Sequence, residues 1–249
     1  MKNGLRYWRS FEMYGFSIQY LLILLLVVGC TKTPQRESKV HVTGAMRNVM
    51  WKGELQGAID LDSLQHKENL YGLGPVEFLA GEILILDGKS FVSRVLTDST
   101  ISVAETFQVK APFFVHAQVR TWESVSLPDS VTGLRSLEKF IDTVMTNQKR
   151  PFAFRLTGKI NKATIHVVNL PPGSTVSSPD EAHQGQVNYK LVGDEVEILG
   201  FFSRRHKGIF THHDTNMHLH LITRDNSMMG HVDKLEFDRG AMKLWFSSQ

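Results

Sequence analysis

Two histidine-bearing segments near the C-terminus constrain the fold more than any other part of the chain. The first reads Met217-His218-Leu219-His220-Leu221, and the second reads Gly230-His231-Val232. Side chains alternate between the two faces of a β-strand, so His218 and His220 project to the same face. The stretch between the segments, Arg224-Asp225-Asn226-Ser227, is rich in residues that favour tight turns. The pattern therefore predicts a β-hairpin.

The register of this hairpin predicts a metal site. With the turn at Asp225-Asn226, His231 lies directly opposite His220 and on the same face as His218. Three imidazoles at that separation are a ligand set for Zn²⁺, and they leave the fourth coordination position open, as catalytic zinc sites do. The alternative interpretation is that these histidines are polar residues on an exposed strand face.

The N-terminal segment, residues 1–29, has the composition of a lipoprotein signal peptide. Basic residues precede an apolar run, Leu21 to Val28, that is short for a permanent membrane-spanning helix. The run leads into Val27-Val28-Gly29-Cys30, which resembles a bacterial lipobox. Cys30 is the only cysteine in the chain and is the predicted lipidation site. The alternative is an ordinary secretory signal or apolar anchor with a coincidental cysteine.

The remaining chain is predicted to be tethered outside the cytoplasm. Residues 30–41 are polar and are expected to link the lipid to the folded part. Residues 42–150 are predicted to form an N-terminal α/β domain and residues 151–249 a strand-rich C-terminal domain with the histidine hairpin. The expected fold class is α+β, with two domains and mixed β-sheets. The expected location is the cell envelope, lipid-anchored to a bacterial membrane.

Length and charge narrow the range of partners. The chain has 249 residues, of which 42% are hydrophobic, and a formal net charge of +3. This composition suffices for a sizeable core. The basic residues are scattered rather than clustered, so a nucleic-acid partner is not expected.

Local patterns predict mixed helix and strand. Leu134 to Met145 places its apolar residues on one face and is the clearest helix, whereas Met46 to Leu64 has a less regular helical pattern. Asp87-Gly88 predicts a tight hairpin turn after a strand at residues 81–86. Further strand-like segments are Pro75–Phe78, Phe91–Val95, Val109–Thr121, Phe152–Thr157, Ala163–Val168 and Val187–Phe202.

Several sequence blocks, in order, resemble the α-acetolactate decarboxylase family. They are Leu73–Ile83 with Leu86-Asp87-Gly88, Phe152–Gly158, Gly200-Phe201-Phe202, His218-Leu219-His220 and Gly230-His231-Val232. The resemblance covers roughly Val42 to Phe237, and the three histidines have the spacing of the zinc ligands of that family. It implies an acetolactate-decarboxylase-like fold.

The resemblance also implies a reaction and its residues. The reaction is zinc-dependent conversion of 2-acetolactate to acetoin and carbon dioxide. By family position, Glu82 is the carboxylate beside the metal and moves the hydroxyl proton or protonates the enediolate carbon. Its alternative role is a polar residue at the edge of a hairpin. The expected partners are a small acetolactate-like substrate, the membrane through the lipid, and a second copy of the chain in a homodimer.

His166 marks a departure from the family pattern. It occupies the position of an arginine that holds the substrate carboxylate in the family, and it is expected to act in its place at the catalytic site. A guanidinium binds a carboxylate through two parallel hydrogen bonds, whereas an imidazole offers one donor. Arg155, Arg204 or Arg205 could supply a replacement cation.

The tail is a second departure. The chain stops at Gln249, eighteen residues after His231, and the C-terminal glutamate of the family has no counterpart because Glu236 is too early. Two further hypotheses therefore stand beside acetolactate decarboxylation. One is the same zinc fold acting on another small hydroxy-keto acid, and the other is a non-catalytic lipoprotein that binds a ligand or metal. Loop histidines before the hairpin are expected to be exposed or to lie near the site: His206, His212 and His213.

Overall fold

A computed structural model describes Met1 and residues 39–147 and 151–247. The described residues from 39 to 247 belong to one compact unit. The predicted signal peptide, the lipidation site Cys30 and most of the predicted tether lie outside the described residues. The first strand begins at Val40, which is inside the predicted tether. Among the described residues, no helix combines the length and apolar character needed to cross a membrane.

The regular secondary structure of the described residues is mostly β-strand, with few helices. The strands are β1 Val40–Thr43, β2 Ile59–Asp60, β3 Leu70–Pro75, β4 Glu82–Leu86, β5 Lys89–Thr97, β6 Thr100–Glu105, β7 Lys110–Ala111, β8 Phe114–Gln118, β9 Trp122–Val125, β10 Phe152–Lys159, β11 Lys162–Val167, β12 Val187–Val192, β13 Glu195–Phe202, β14 Met217–Thr223, β15 Met229–Glu236 and β16 Met242–Ser247. The α-helices are α1 Met46–Lys52, α2 Leu134–Val144 and α3 Pro179–Ala182, and short 3₁₀ turns cover Leu61–Ser63 and Glu77–Leu79.

Two large sheets organise the fold. A six-stranded sheet has the order β1-β8-β3-β4-β5-β6, and an eight-stranded sheet has the order β12-β11-β15-β14-β13-β10-β16-β9. A small third sheet pairs β2 with β7. The pairs formed by these strands are antiparallel, so the expectation of mixed sheets was wrong. Many consecutive strands are joined by short turns, which connect antiparallel neighbours without a helical crossover.

The predicted Asp87-Gly88 turn joins β4 to β5. Both residues have positive φ, 46° and 77°, as a tight two-residue hairpin turn requires. At the other end of β4, Gly81 has φ 142°, and a Cβ atom there would lie 2.2 Å from the Ser93 carbonyl oxygen. Glycine at this position therefore allows the close backbone approach that starts β4 at Glu82.

Helix α2 confirms the clearest helical prediction. It spans Leu134–Val144, and the Ser136 hydroxyl bonds to the Gly133 carbonyl and accepts from the Gly133 amide at its start. Leu137 and Ile141 are buried, whereas Val144, which was expected on the same apolar face, is 44% exposed. The buried face of α2 shares a core with Met217, Leu219 and Leu221 of β14.

Two local predictions were wrong. The helix predicted to reach Leu64 ends at Lys52, because Gly53 takes a left-handed conformation with φ 64° and terminates it. The strand predicted for Pro75–Phe78 ends at Pro75, since Phe78 has φ 60° and the chain turns there.

The two faces of β14 pack against different cores, and this determines where the histidines lie. While Met217, Leu219 and Leu221 pack towards α2, the neighbouring Ile222 belongs to the core between the two large sheets. His218 and His220 are on the same side as Ile222. From the facing sheet, Leu84 of β4 joins this core, which places Glu82 on the same side. The side chains of His218, His220 and Glu82 therefore all point into the layer between the two large sheets.

Candidate metal centre

The predicted histidine hairpin is present, with the predicted register. His220 of β14 pairs directly with His231 of β15. His218, His220 and His231 each offer one ligand atom, and these atoms lie within 4.8 Å of one another. Their exposed fractions are 3%, 0% and 8%. Three imidazoles this close and this buried are not the exposed polar strand face of the alternative interpretation.

Hydrogen bonding orients the ring of His220. Its Nδ1 lies 2.9 Å from the Ile83 carbonyl oxygen and donates to it, which leaves Nε2 with a free lone pair. Metal-binding histidines commonly use such a bond to a backbone carbonyl to fix the ring. His220 Nε2 and His218 Nδ1 are buried and have no hydrogen-bond partner among the described residues. Two orphaned ring nitrogens within this buried triad fit a bound metal ion, and nitrogen donors of this kind suit zinc.

Burial keeps the three ligands in the form that binds a metal. It lowers the pKa of His218 and His231 well below the usual value, and neighbouring histidines contribute in the same direction. Burial also lowers the pKa of His220 to about 3. A histidine binds a metal as the neutral ring, so these imidazoles are prepared for it at neutral pH.

Glu82 lies against this triad. Its Oε2 is 3.6 Å from His220 Nε2, and its Oε1 accepts a hydrogen bond of 3.3 Å from the Val168 amide. The residue is 3% exposed. Burial raises the pKa of Glu82 well above its usual value, against the lowering effect of the bond from Val168. Strand β4 thus supplies both the carboxylate and, through Ile83, the carbonyl that orients His220.

His166 is close to the triad but already has a carboxylate partner. It pairs with His231 across β11 and β15, and the two rings stack with centroids 4.6 Å apart. Its Nδ1 is 2.8 Å from Oδ1 of Asp233. Asp233 was missed by the sequence analysis, although its position two residues after His231 on β15 places it on the same face. One side of the His166 ring is therefore occupied within the protein.

A small cavity adjoins the triad. Its lining residues are Met46, Met50, Pro75, Leu79, Glu82, Phe113, His166, Val168, His183, His212, His218 and His231. These described lining residues include no lysine or arginine. Of the proposed replacement cations, Arg155 pairs with Glu197 at 2.8 Å in a separate cleft, and Arg204 pairs with Asp142. Arg205 is exposed and does not line the cavity.

Two additional histidines reach the cavity. His212 lies 5.1 Å from His231 between ring centroids, so this loop histidine belongs to the site. His183, which follows α3, lies 6.4 Å from His166 and was missed because its loop has no periodic pattern. By contrast, His206 bonds to Ser203 at 2.7 Å, and His213 is exposed.

Comparisons with known proteins agree with this architecture. The family model described as alpha-acetolactate decarboxylase matches residues 42–248. The chain is 26% identical to the alpha-acetolactate decarboxylase of Brevibacillus brevis over 79% of this chain and 66% of that protein. It is 25% identical to the enzyme of Lactococcus lactis subsp. cremoris over 77% of this chain and 78% of that protein. The chain thus spans slightly less than two thirds of the Brevibacillus protein.

Solved structures show the same fold. The alpha-acetolactate decarboxylase of Bacillus subtilis strain 168 superposes with a TM-score of 0.68 at 20% identity, over 85% of this chain and 86% of the other. A Staphylococcus aureus protein of unknown function, described as similar to alpha-acetolactate decarboxylase, gives a TM-score of 0.65 at 19% identity, over 83% and 84%.

The fold, the buried histidine triad and the adjacent carboxylate define a protein with an acetolactate-decarboxylase-like fold and a site suited to a metal. Since the family model covers residues 42–248, the chain belongs to the alpha-acetolactate decarboxylase family.

Proposed function

We propose that the protein decarboxylates 2-acetolactate to acetoin and carbon dioxide, with zinc held by His218, His220 and His231. The observation that carries the proposal is the buried triad with Glu82 Oε2 at 3.6 Å from one of its rings. The small adjoining cavity suits a substrate of few atoms. Zinc, when bound to three neutral imidazoles, would supply a double positive charge for the oxygens of the substrate.

The residues around the cavity have distinct tasks in this reaction. When the carboxylate leaves as carbon dioxide, the electrons of the broken bond pass towards the neighbouring ketone, and the resulting enediolate must gain a proton at carbon. Glu82 is placed to hold and deliver that proton, because its carboxyl group is fixed by the Val168 amide and points towards the triad. Glu82 and the three histidines are themselves buried.

The direct test is acetoin release from racemic 2-acetolactate by the purified protein, measured beside its zinc content. We expect acetoin formation well above the spontaneous rate from protein that carries zinc. Zinc-loaded protein that releases no acetoin would exclude this function and leave a different substrate or a binding role.

A second candidate function keeps the metal and changes the substrate. His166 is paired with Asp233 at 2.8 Å, and no lysine or arginine is among the described residues that line the cavity. This arrangement lacks the guanidinium that would hold a carboxylate through two hydrogen bonds. It favours a different small hydroxy-keto acid, selected by His166 rather than by a guanidinium.

The variant His166→Arg separates these two candidates. If the missing guanidinium limits acetolactate turnover, we expect kcat/KM for acetolactate to rise about tenfold, mainly through a lower KM. The gain should be larger in the double variant with Asp233→Asn, because Asp233 then no longer competes for the new cation. Steady-state kinetics measure both, with exposed His213→Arg as the control. Unchanged kinetics in both variants would contradict the idea that a cation is missing.

We further propose that Cys30 carries the lipid that attaches the protein to a bacterial membrane outside the cytoplasm. The support is the sequence around Cys30. We expect wild-type protein to be recovered with membranes and Cys30→Ser protein to lose that association, as measured by fractionation and by mass spectrometry of the N-terminus. Equal membrane recovery of the two proteins would argue for an apolar anchor instead.

A further inference from the structure

The cavity beside the triad is lined by two chemically different sets of residues. Imidazoles and Glu82 form the polar set. The apolar set, here called the wall, consists of residues that share a single core cluster: Met46, Met50, Leu79, Phe113 and Val168. A polar reacting centre and an apolar wall thus line the same cavity.

Helix α1 contributes two methionines to this wall. Met46 and Met50 are four residues apart and therefore lie on one face of the helix. They are 6% and 9% exposed, whereas the adjacent Trp51 is 61% exposed. Both methionines line the cavity, while Trp51 points away from it. The helix belongs to neither large sheet.

Backbone contacts hold α1 against the site. The Met46 amide donates to the Ile209 carbonyl at 2.8 Å, and the Arg47 amide donates to the Gly208 carbonyl at 2.8 Å. These carbonyls belong to the loop that continues to His212. Phe113, the neighbour of the methionines in the wall, lies 6.2 Å from His218 between ring centroids. The wall is therefore fixed relative to the metal ligands.

We propose that Met46 and Met50 determine the size of the alkyl substituents that the site accepts on its substrate. The inference rests on the proposed function, and it assigns the site to 2-hydroxy-3-oxo acids whose carbon substituents are of methyl size. The polar atoms of such a substrate face the imidazoles and Glu82, and its alkyl groups contact the methionines. One methylene in an apolar pocket changes kcat/KM by roughly 10- to 200-fold, so two side chains can set the preference.

The test compares substrates that differ by one methylene. For wild-type, Met46→Ala and Met50→Ala proteins, kcat/KM is measured with 2-acetolactate and with its homologue that carries a 2-ethyl group. We expect each alanine variant to raise the ethyl-to-methyl ratio at least about tenfold, because the shortened side chain leaves room for the added methylene. Trp51→Ala, on the same helix but outside the cavity, should keep the wild-type ratio. Ratios within twofold of wild type in both methionine variants would overturn the proposal.

A binding measurement distinguishes failure of this inference from failure of the proposed function. Zinc-loaded proteins are titrated calorimetrically with 2,3-dihydroxy-2-methylbutanoate and with its 2-ethyl homologue, neither of which can lose carbon dioxide by this route. If wild type turns over neither keto acid but the methionine variants shift binding towards the ethyl homologue, the decarboxylation proposal fails and the proposed role of the two methionines is retained. Binding preferences that do not shift, or a wild type that binds neither compound, would overturn the proposed role of the methionines.

Stability is controlled in the same series. Thermal unfolding verifies that each variant is folded. If Met50→Ala does not fold, Met50→Val carries the same comparison with a smaller expected shift. An unchanged preference in a folded Met50→Val together with an unchanged preference in Met46→Ala would overturn the proposal.

Discussion

His218→Ala protein should lose both its zinc and its acetoin formation. The two remaining imidazoles leave the ion short of a protein ligand, and changes even to residues that only support ligands cost roughly 10- to 100-fold in metal affinity or activity. We therefore expect a loss of more than about 100-fold in kcat/KM, and zinc well below one per chain. Metal analysis and an acetoin assay on the same preparation measure the two effects.

The matched control for this variant is His213→Ala. His213 belongs to the loop before the hairpin but is exposed and lies outside the cavity. The His213→Ala protein should retain wild-type zinc content and activity. Equal acetoin production by His218→Ala and wild type would remove the triad from the mechanism.

Glu82→Gln should retain zinc and lose turnover. Glutamine keeps the size of the side chain and an oxygen that can accept from the Val168 amide, but it cannot carry the proton. Loss of a positioned proton donor costs about 10²- to 10⁴-fold, and we expect this loss in kcat with little change in KM. Steady-state kinetics on zinc-analysed protein provide the measurement.

Glu77→Gln is the control for Glu82. Glu77 is five residues earlier, and its carboxylate accepts from the Gly57 amide at 3.1 Å, outside the cavity lining. The Glu77→Gln protein should have a kcat close to that of the wild-type protein. If Glu82→Gln kept kcat within threefold of wild type, Glu82 would be a structural residue of the hairpin rather than the proton carrier.

The histidine hairpin could be predicted from the sequence because its determinants are local. Alternation along β14 gives the common face of His218 and His220, and turn-forming residues fix the pairing of His220 with His231. Asp225 accepts from the Ser227 amide at 3.0 Å, and Asn226 has φ 58°, as a tight turn favours. The same alternation could have indicated Asp233, two residues after His231.

The rest of the site depends on contacts between distant parts of the chain. His183 and Met50 reach the cavity only through the packing of α3 and α1, whose patterns carry no sign of a ligand. The pairing of His166 with Asp233 joins residues 67 positions apart in the sequence. The resemblance showed only that His166 replaces the arginine of the family, and it could not reveal this partner. The helical pattern from Met46 to Leu64 was interrupted at both Gly53 and Gly57, and nothing local showed that α1 ends at the first of these glycines.

Zinc on the histidine triad is proposed to support decarboxylation of 2-acetolactate. Titration of chelator-treated, purified protein with Zn²⁺, with acetoin formation followed at each addition, tests this dependence. We predict that activity is absent without metal, rises linearly, and reaches its plateau at one zinc per chain. Acetoin formation that is equally fast before zinc is added, or absent at full zinc occupancy, would contradict the claim.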